Sequence, residues 1–159
     1  MQVTVIAVGK IKEKYLQDGI AEYEKRLGPL ARLKILEIAE EKRSAHTSLS
    51  QETPVKNAEG SRIIAAIPPE SYPIALDVGG VRWSSEDLAS ATKKWEISGR
   101  NHLTFVIGGD LGLSEEVLTR CSLKLSLSPL TFTHQMARMI LLEQIYRAEK
   151  INRGEPYHK

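Results

Sequence analysis

A single α/β domain over residues 1–159, with a mainly parallel sheet flanked by helices, is the architecture this sequence predicts. Short runs rich in Val and Ile alternate with stretches of helical periodicity from one end to the other. That order is the one crossover-connected parallel strands require. No internal repeat or linker-like segment interrupts the alternation. The length, 159 residues, is enough to bury a core within one domain.

Residues 2–8 are rich in Val and Ile and read as a strand ending at Gly9. Over residues 12–27, Tyr15, Leu16, Ile20, Tyr23 and Leu27 recur at helical intervals, and Gly28-Pro29 stops the helix. Residues 33–39 (LKILEIA) alternate with period two, as a second strand would. Residues 40–54 are polar and without periodicity, which predicts a surface loop. A helix is expected next over 55–67, closed by Pro68-Pro69, and then a short buried strand at 72–78 with Gly79-Gly80 as its turn. Ser84 or Ser85 caps a helix that runs to Gly99, with Glu86 and Asp87 in its first turn. Residues 103–107 (LTFVI) form another strand, Ser114 caps a short helix ending near Cys121, and 123–127 are the last strand. The chain then passes through a Ser-Pro-Leu-Thr loop into a helix. Met136, Ile140, Leu142, Ile145 and Tyr146 make its apolar stripe, and Arg138, Glu143 and Arg147 lie beside it.

Composition removes several classes of function. No apolar run approaches the ~18–20 residues that cross a bilayer, and the opening MQVTVIAVGK reads as a strand rather than a signal peptide. A cytoplasmic protein is expected. Cys121 is the only cysteine, so an internal disulfide is excluded. His46, His102, His134 and His158 lack metal-ligand spacing, and no metal site is expected. A net charge of +2 is too small for bulk electrostatics to hold a nucleic acid. Any RNA contact must come from local clusters: Lys10, Lys12 and Lys14; Lys42 and Arg43; or Arg147, Lys150, Arg153 and Lys159. Each such cluster can equally be a solvated face.

In open parallel sheets, ligands sit beyond the C-terminal ends of the strands. Here three strand ends carry suggestive residues: 76–80 (LDVGG), 107–109 (IGG) and 127–131 (LSPLT). Gly108-Gly109 allows close approach to a flat ligand, or is simply a tight turn. Neither the dinucleotide fingerprint nor a phosphate loop is present. The 126–131 loop offers hydroxyls and main-chain amides that suit an adenine edge, with Leu76, Leu127 and Leu130 over the ring faces. A plain strand-to-helix connection would look the same.

Val8-Gly9-Lys10, Tyr23-Glu24-Lys25-Arg26-Leu27, the 105–112 segment, the 127–135 segment, Tyr146-Arg147-Ala148 and the terminal Tyr157-His158-Lys159 together resemble the ribosomal RNA large subunit methyltransferase H family of the SPOUT class. The resemblance covers the whole chain. It implies an enzyme that uses S-adenosyl-L-methionine to methylate N3 of a pseudouridine in 23S-type large-subunit rRNA, within the assembled ribosome. It also implies a deep C-terminal trefoil knot and a homodimer. The family's cofactor positions fall on Leu76, Gly108, Gly109, Leu127, Ser128, Pro129, Leu130, Thr131 and Phe132. Asp110-Leu111 departs from the pair expected after the glycines, and Thr133 stands where proline usually precedes the histidine. The second departure is expected to loosen the start of the final helix.

Methylation at N3 requires an aligned nucleophile and help with a weakly acidic N–H. The candidate catalytic groups are His134, Arg138, Arg147, Tyr157 and His158. His134 near a helix N-terminus is an acceptor whose charged form the dipole disfavours, or a structural residue bonding a strand-end carbonyl. The terminal Tyr157-His158-Lys159 is either a frayed end or, as the resemblance implies, a cover for the substrate base. The rival class is a non-catalytic RNA-binding or ribosome-assembly factor with the same fold.

Overall fold

The structure, a computed structural model, describes residues 1–44, 46 and 48–159. Five strands and five helices alternate: β1 (Gln2–Val8), α1 (Lys14–Leu27), β2 (Arg32–Ile38), α2 (Leu49–Ala66), β3 (Tyr72–Arg82), α3 (Ser85–Ile97), β4 (His102–Ile107), α4 (Glu115–Arg120), β5 (Leu123–Ser126) and α5 (His134–Asn152). The sheet runs β2-β1-β4-β3-β5, and every strand pair is parallel.

Strand periodicity sorts the core into two halves. Val3, Val5 and Ala7 point to one face, with Leu103, Phe105 and Ile107 of β4. Ile20 of α1, Leu88 of α3 and Leu141, Leu142 and Ile145 of α5 cover them. Ile6, Val8 and Val106 point to the other face, under Ile63 of α2 and Val117 of α4. Each of these large side chains contributes about 1.5–3 kcal/mol when taken fully out of water. At the N-terminal edge of the sheet the same alternation buries polar groups, and they are paired. Thr4 Oγ1 and His102 Nε2 are 2.9 Å apart, and Thr104 Oγ1 donates to Ser71 Oγ at 2.8 Å.

Three expectations need correction. Helix α2 begins at Leu49 rather than near residue 55, and Pro54 lies inside it. Ser48 and Gln51 form a capping box, Ser48 N–H donating to Gln51 Oε1 at 2.9 Å. That reciprocal cap starts the helix early, and the first turns are exposed enough to hold a proline. The pair Gly79-Gly80 is not a turn: β3 continues through it to Arg82, with a register shift against β5 between Leu76 and Val81. A Cβ at Gly80 would stand 2.6 Å from the Lys124 carbonyl, so the glycine lets β5 lie close.

The third correction concerns α5. Its buried positions are Arg138, Leu141, Leu142, Ile145 and Ala148, whereas Met136 is exposed. Arg138 therefore belongs to the interior rather than to a solvated face. Its Nη1 donates to Glu37 Oε2 at 2.8 Å, and its Nη2 donates to the Gly9 carbonyl at 2.9 Å. One guanidinium thus ties α5 to the C-terminal ends of β1 and β2, with its Nε buried and unpartnered. Arg138→Ala should lower stability by about 2–3 kcal/mol in urea unfolding, because two charge-assisted bonds are lost and Glu37 keeps some solvent. A change under about 0.5 kcal/mol would show that the clamp is not structural.

Candidate active site

The strand ends of β3, β4 and β5 enclose a cavity of about 790 Å³. Its walls are residues 76–78 within β3, the 107–113 loop after β4, the 126–133 loop after β5, and the first turns of α5 and α1. Local chemistry shapes each loop. After β4, the Gly112 amide donates to the Gly109 carbonyl at 3.0 Å, and Gly112 has a φ of +83°. A Cβ at Gly108 would lie 2.7 Å from the Gly112 carbonyl carbon, so this glycine is required by the loop's own backbone. After β5, Ser126 Oγ donates to the Ser128 carbonyl at 3.0 Å, and the Leu130 amide donates to Ser128 Oγ at 2.9 Å. Thr133 caps α5: its Oγ1 accepts the Met136 amide at 3.2 Å. The threonine therefore anchors the helix start, against the expectation that it would loosen it, because proline has no hydroxyl to accept that bond.

Of the sequence-predicted cofactor positions, Leu76, Gly108, Gly109, Leu127, Ser128, Leu130, Thr131 and Phe132 line this cavity. Pro129 is exposed and lies outside its walls. His134, at the first position of α5, also lines it, with Nε2 3.9 Å from Glu40 Oε1. Arg138 is withdrawn into the clamp on Glu37 and Gly9.

Arg147, Tyr157 and His158 form a separate group. Tyr157 Oη donates to Glu143 Oε1 at 3.0 Å, and its ring stands edge-on to Tyr146 at 4.8 Å between centroids. The Arg147 guanidinium sits over the Tyr157 ring at 4.7 Å and bonds Glu143 Oε1 at 2.5 Å. His158 reaches Arg147 at 3.2 Å through Nδ1 and Glu86 at 2.8 Å through Nε2. The tail is therefore half-buried and docked on its own α3 and α5, not frayed. Burial first, then bonds to Tyr23 and Glu143, push the Tyr157 phenol well above its usual pKa, so it stays a hydrogen-bond donor. Glu143 likewise raises the pKa of Arg147 and holds it cationic.

A second hollow of about 300 Å³, lined by Trp83, Leu125 and Gln144, shares Ser126, Leu127 and Phe132 with the main cavity. Ser85 Oγ donates to Gln144 Oε1 at 2.6 Å, and Gln144 Nε2 donates to Glu143 Oε2 at 2.7 Å. A short hydrogen-bond chain thus joins this hollow to Tyr157.

Sequence reasoning misses Glu13, Tyr15 and Met136 as cavity residues. Tyr15 (69%), Val78 (57%), Leu130 (72%) and Met136 (39%) are exposed yet apolar, and they gather at the mouth. The one signal available for them is a large apolar residue on an otherwise polar segment. Five of the nine basic candidates for RNA contact are paired with acids: Lys14 with Asp18, Arg43 with Asp110, Arg147 with Glu143, Lys150 with Glu155 and Arg153 with Glu149. Burial pushes the Cys121 thiol up to about 11, which makes it a poor nucleophile. Among the described residues, no group of three or more His, Cys, Asp or Glu side chains is placed to hold a metal ion, and no helix is long and apolar enough to cross a membrane.

Comparison with known proteins gives this geometry a lineage. Residues 1–158 match the family model described as "Predicted SPOUT methyltransferase". The chain is 53% identical over 159 residues to the ribosomal RNA large subunit methyltransferase H of Carboxydothermus hydrogenoformans, covering all of both chains. It is 49% identical over 160 residues to the protein of that name from Heliobacterium modesticaldum, covering all of this chain and 99% of the other. Among solved structures, a probable methylase family protein from Haemophilus influenzae Rd KW20 superposes with a TM-score of 0.51 at 11% identity. That match spans 99% of this chain and 70% of the other, a likeness of fold alone. With a family match along nearly its whole length and half its residues shared with full-length relatives, the chain belongs to the SPOUT methyltransferases, in the ribosomal RNA large subunit methyltransferase H family.

Proposed function

We propose that this enzyme transfers a methyl group from S-adenosyl-L-methionine to N3 of a pseudouridine in large-subunit, 23S-type ribosomal RNA, acting on the assembled ribosome in the cytoplasm. The observation that carries the reading is the cavity at the ends of β3, β4 and β5, in a chain whose relatives are named for rRNA methylation. The cavity suits the donor in size and character. Leu76, Leu127, Leu130 and Phe132 offer apolar walls to a purine ring, and the tight 108–112 loop brings main chain to its edge. When bound, the donor would supply an electrophilic methyl on a sulfonium; in-line attack by an aligned N3 would form the N–C bond as the C–S bond breaks and S-adenosylhomocysteine leaves.

The protein's own part is alignment and charge. The second hollow, beside Leu127 and Phe132, is where the target base would stack, against Trp83. Negative charge develops on the base as N3–H is lost, and donors held toward it stabilise that charge. His134, on the cavity wall, is the group that would accept a proton. The cationic Arg147, one hydrogen-bond chain from the hollow, would serve as donor together with His158, and Tyr157, whose hydroxyl donates to Glu143, would hold that pair in place. The trefoil knot that the family resemblance implies belongs to the same reading, with the 126–133 loop inside it.

A homodimer completes the proposal. The exposed apolar rim of Tyr15, Val78, Leu130 and Met136 is a surface that a second copy would cover. Sedimentation at micromolar concentration should give about twice the 17.7 kDa chain mass; a fully active monomer would exclude the dimer.

Activity is tested by tritiated methyl incorporation into intact ribosomes, with mass spectrometry of the modified nucleoside. Removing Tyr157, His158 and Lys159 should cost about 1 kcal/mol of stability, since the tail is only half-buried. Transfer should fall about 100-fold while donor affinity holds, because the lost groups act mainly in the transition state. Wild-type transfer by the truncated protein would refute the tail's role. A wild-type protein that binds ribosomes and never methylates them would leave the assembly-factor reading in its place.

A further inference from the structure

Residues 39–43, which follow β2, lie beside the cavity and are stitched down at several points. Arg62 Nη1 of α2 donates to the Ala39 carbonyl at 3.0 Å, and the same guanidinium pairs with Glu41. The Glu41 amide donates to Glu59 Oε2 at 3.1 Å. Glu59 is buried on α2, with 6% of its surface exposed. A Cβ at Gly109 would stand 3.4 Å from Glu59 Oε1, so the glycine pair of the cavity loop packs directly over this carboxylate. Past that point Arg43 reaches across to Asp110 at the tip of the loop and pairs with it.

Charge explains why the last contact matters. Burial first, opposed by the Glu41 amide, raises the pKa of Glu59, and the charges of Glu40 and Asp110 raise it further. Asp110 therefore faces a like charge at Glu59. Without a counter-charge the tip of the loop would be pushed outward. Arg43 is that counter-charge. Because Gly108 packs on Gly112 and the Gly112 amide bonds Gly109, the loop is tight, and displacement at Asp110 is passed to Gly108 and Gly109 on the cavity wall.

We infer that residues 39–43 form a brace that sets the position of the 108–112 loop, with Arg43 as a positioning residue for the methyl donor and Glu59 as the buried footing of the brace. The inference rests on the proposed donor site. It assigns Arg43 to the loop rather than to the RNA contact its basic cluster suggested.

The test is calorimetric binding of S-adenosylhomocysteine to the full chain, with hydrogen exchange of the 109–112 amides read in parallel. A partly exposed ion pair has a modest effect, so Arg43→Ala should weaken binding about three- to fivefold and Arg43→Glu about tenfold, with faster exchange at Gly112 in both. Raising the salt should move the wild type toward Arg43→Ala. The double variant Arg43→Ala, Asp110→Asn should recover to within about twofold of wild type, since it removes the repulsion that Arg43 offsets. Unchanged binding and exchange in Arg43→Ala would overturn the brace, and so would a double variant no better than the single one. A wild type that fails to bind the probe would instead bring down the donor site itself, and the brace's purpose with it.

Discussion

Strands β1 and β4 are buried along both faces, and a parallel sheet buried on both faces has to be closed by helical crossovers. That constraint dictates where the rest of the molecule can place its loops. Each crossover returns the chain to the same edge, so residues 76–78 of β3 and the loops after β4 and β5 open together at one end of the sheet. The polar pairs Thr4–His102 and Thr104–Ser71 sit at the opposite edge, where they satisfy buried groups away from the cavity. Stability and chemistry are thereby placed at the two ends of one sheet.

Helix α5 links those functions. Its interior face anchors the core through Leu141, Leu142 and Ile145, and Arg138 clamps it to β1 and β2. Its first turn, capped by Thr133, carries His134 on the cavity wall. Glu143 and Arg147, further along the helix, hold Tyr157 and His158. A helix fixed by a buried guanidinium can present ionisable groups along its length without its register drifting. Rigid support of this kind is what alignment in a displacement reaction demands.

Much of the fold is legible in the sequence because apolar runs mark β1 and β4, period-two alternation marks β2 and helical periodicity marks α1. The exceptions have local causes. Pro54 looks like a boundary, yet the Ser48–Gln51 capping box starts α2 before it, and exposed first turns tolerate the ring. Gly79-Gly80 reads as a turn because the closeness of β5 is invisible in one dimension. Arg138 reads as surface because its partners, Glu37 and the Gly9 carbonyl, lie 101 and 129 residues away in sequence. In the site, the strand-end rule points to loops that line the cavity, while the apolar rim and the docking of the tail depend on tertiary neighbours. Arg43 reads as part of a basic surface cluster for the same reason: its partner Asp110 lies 67 residues away in sequence.

All of the proposed chemistry depends on the cavity between the 107–113 and 126–133 loops holding the methyl donor. A crystal structure with S-adenosylhomocysteine tests this most directly. The predicted result is density for the nucleoside between those loops, with the purine against Leu76, Leu127 and Leu130 and main chain of the 108–112 loop at its edge. Density for the ligand at any other surface, with this cavity filled only by ordered water, would contradict it.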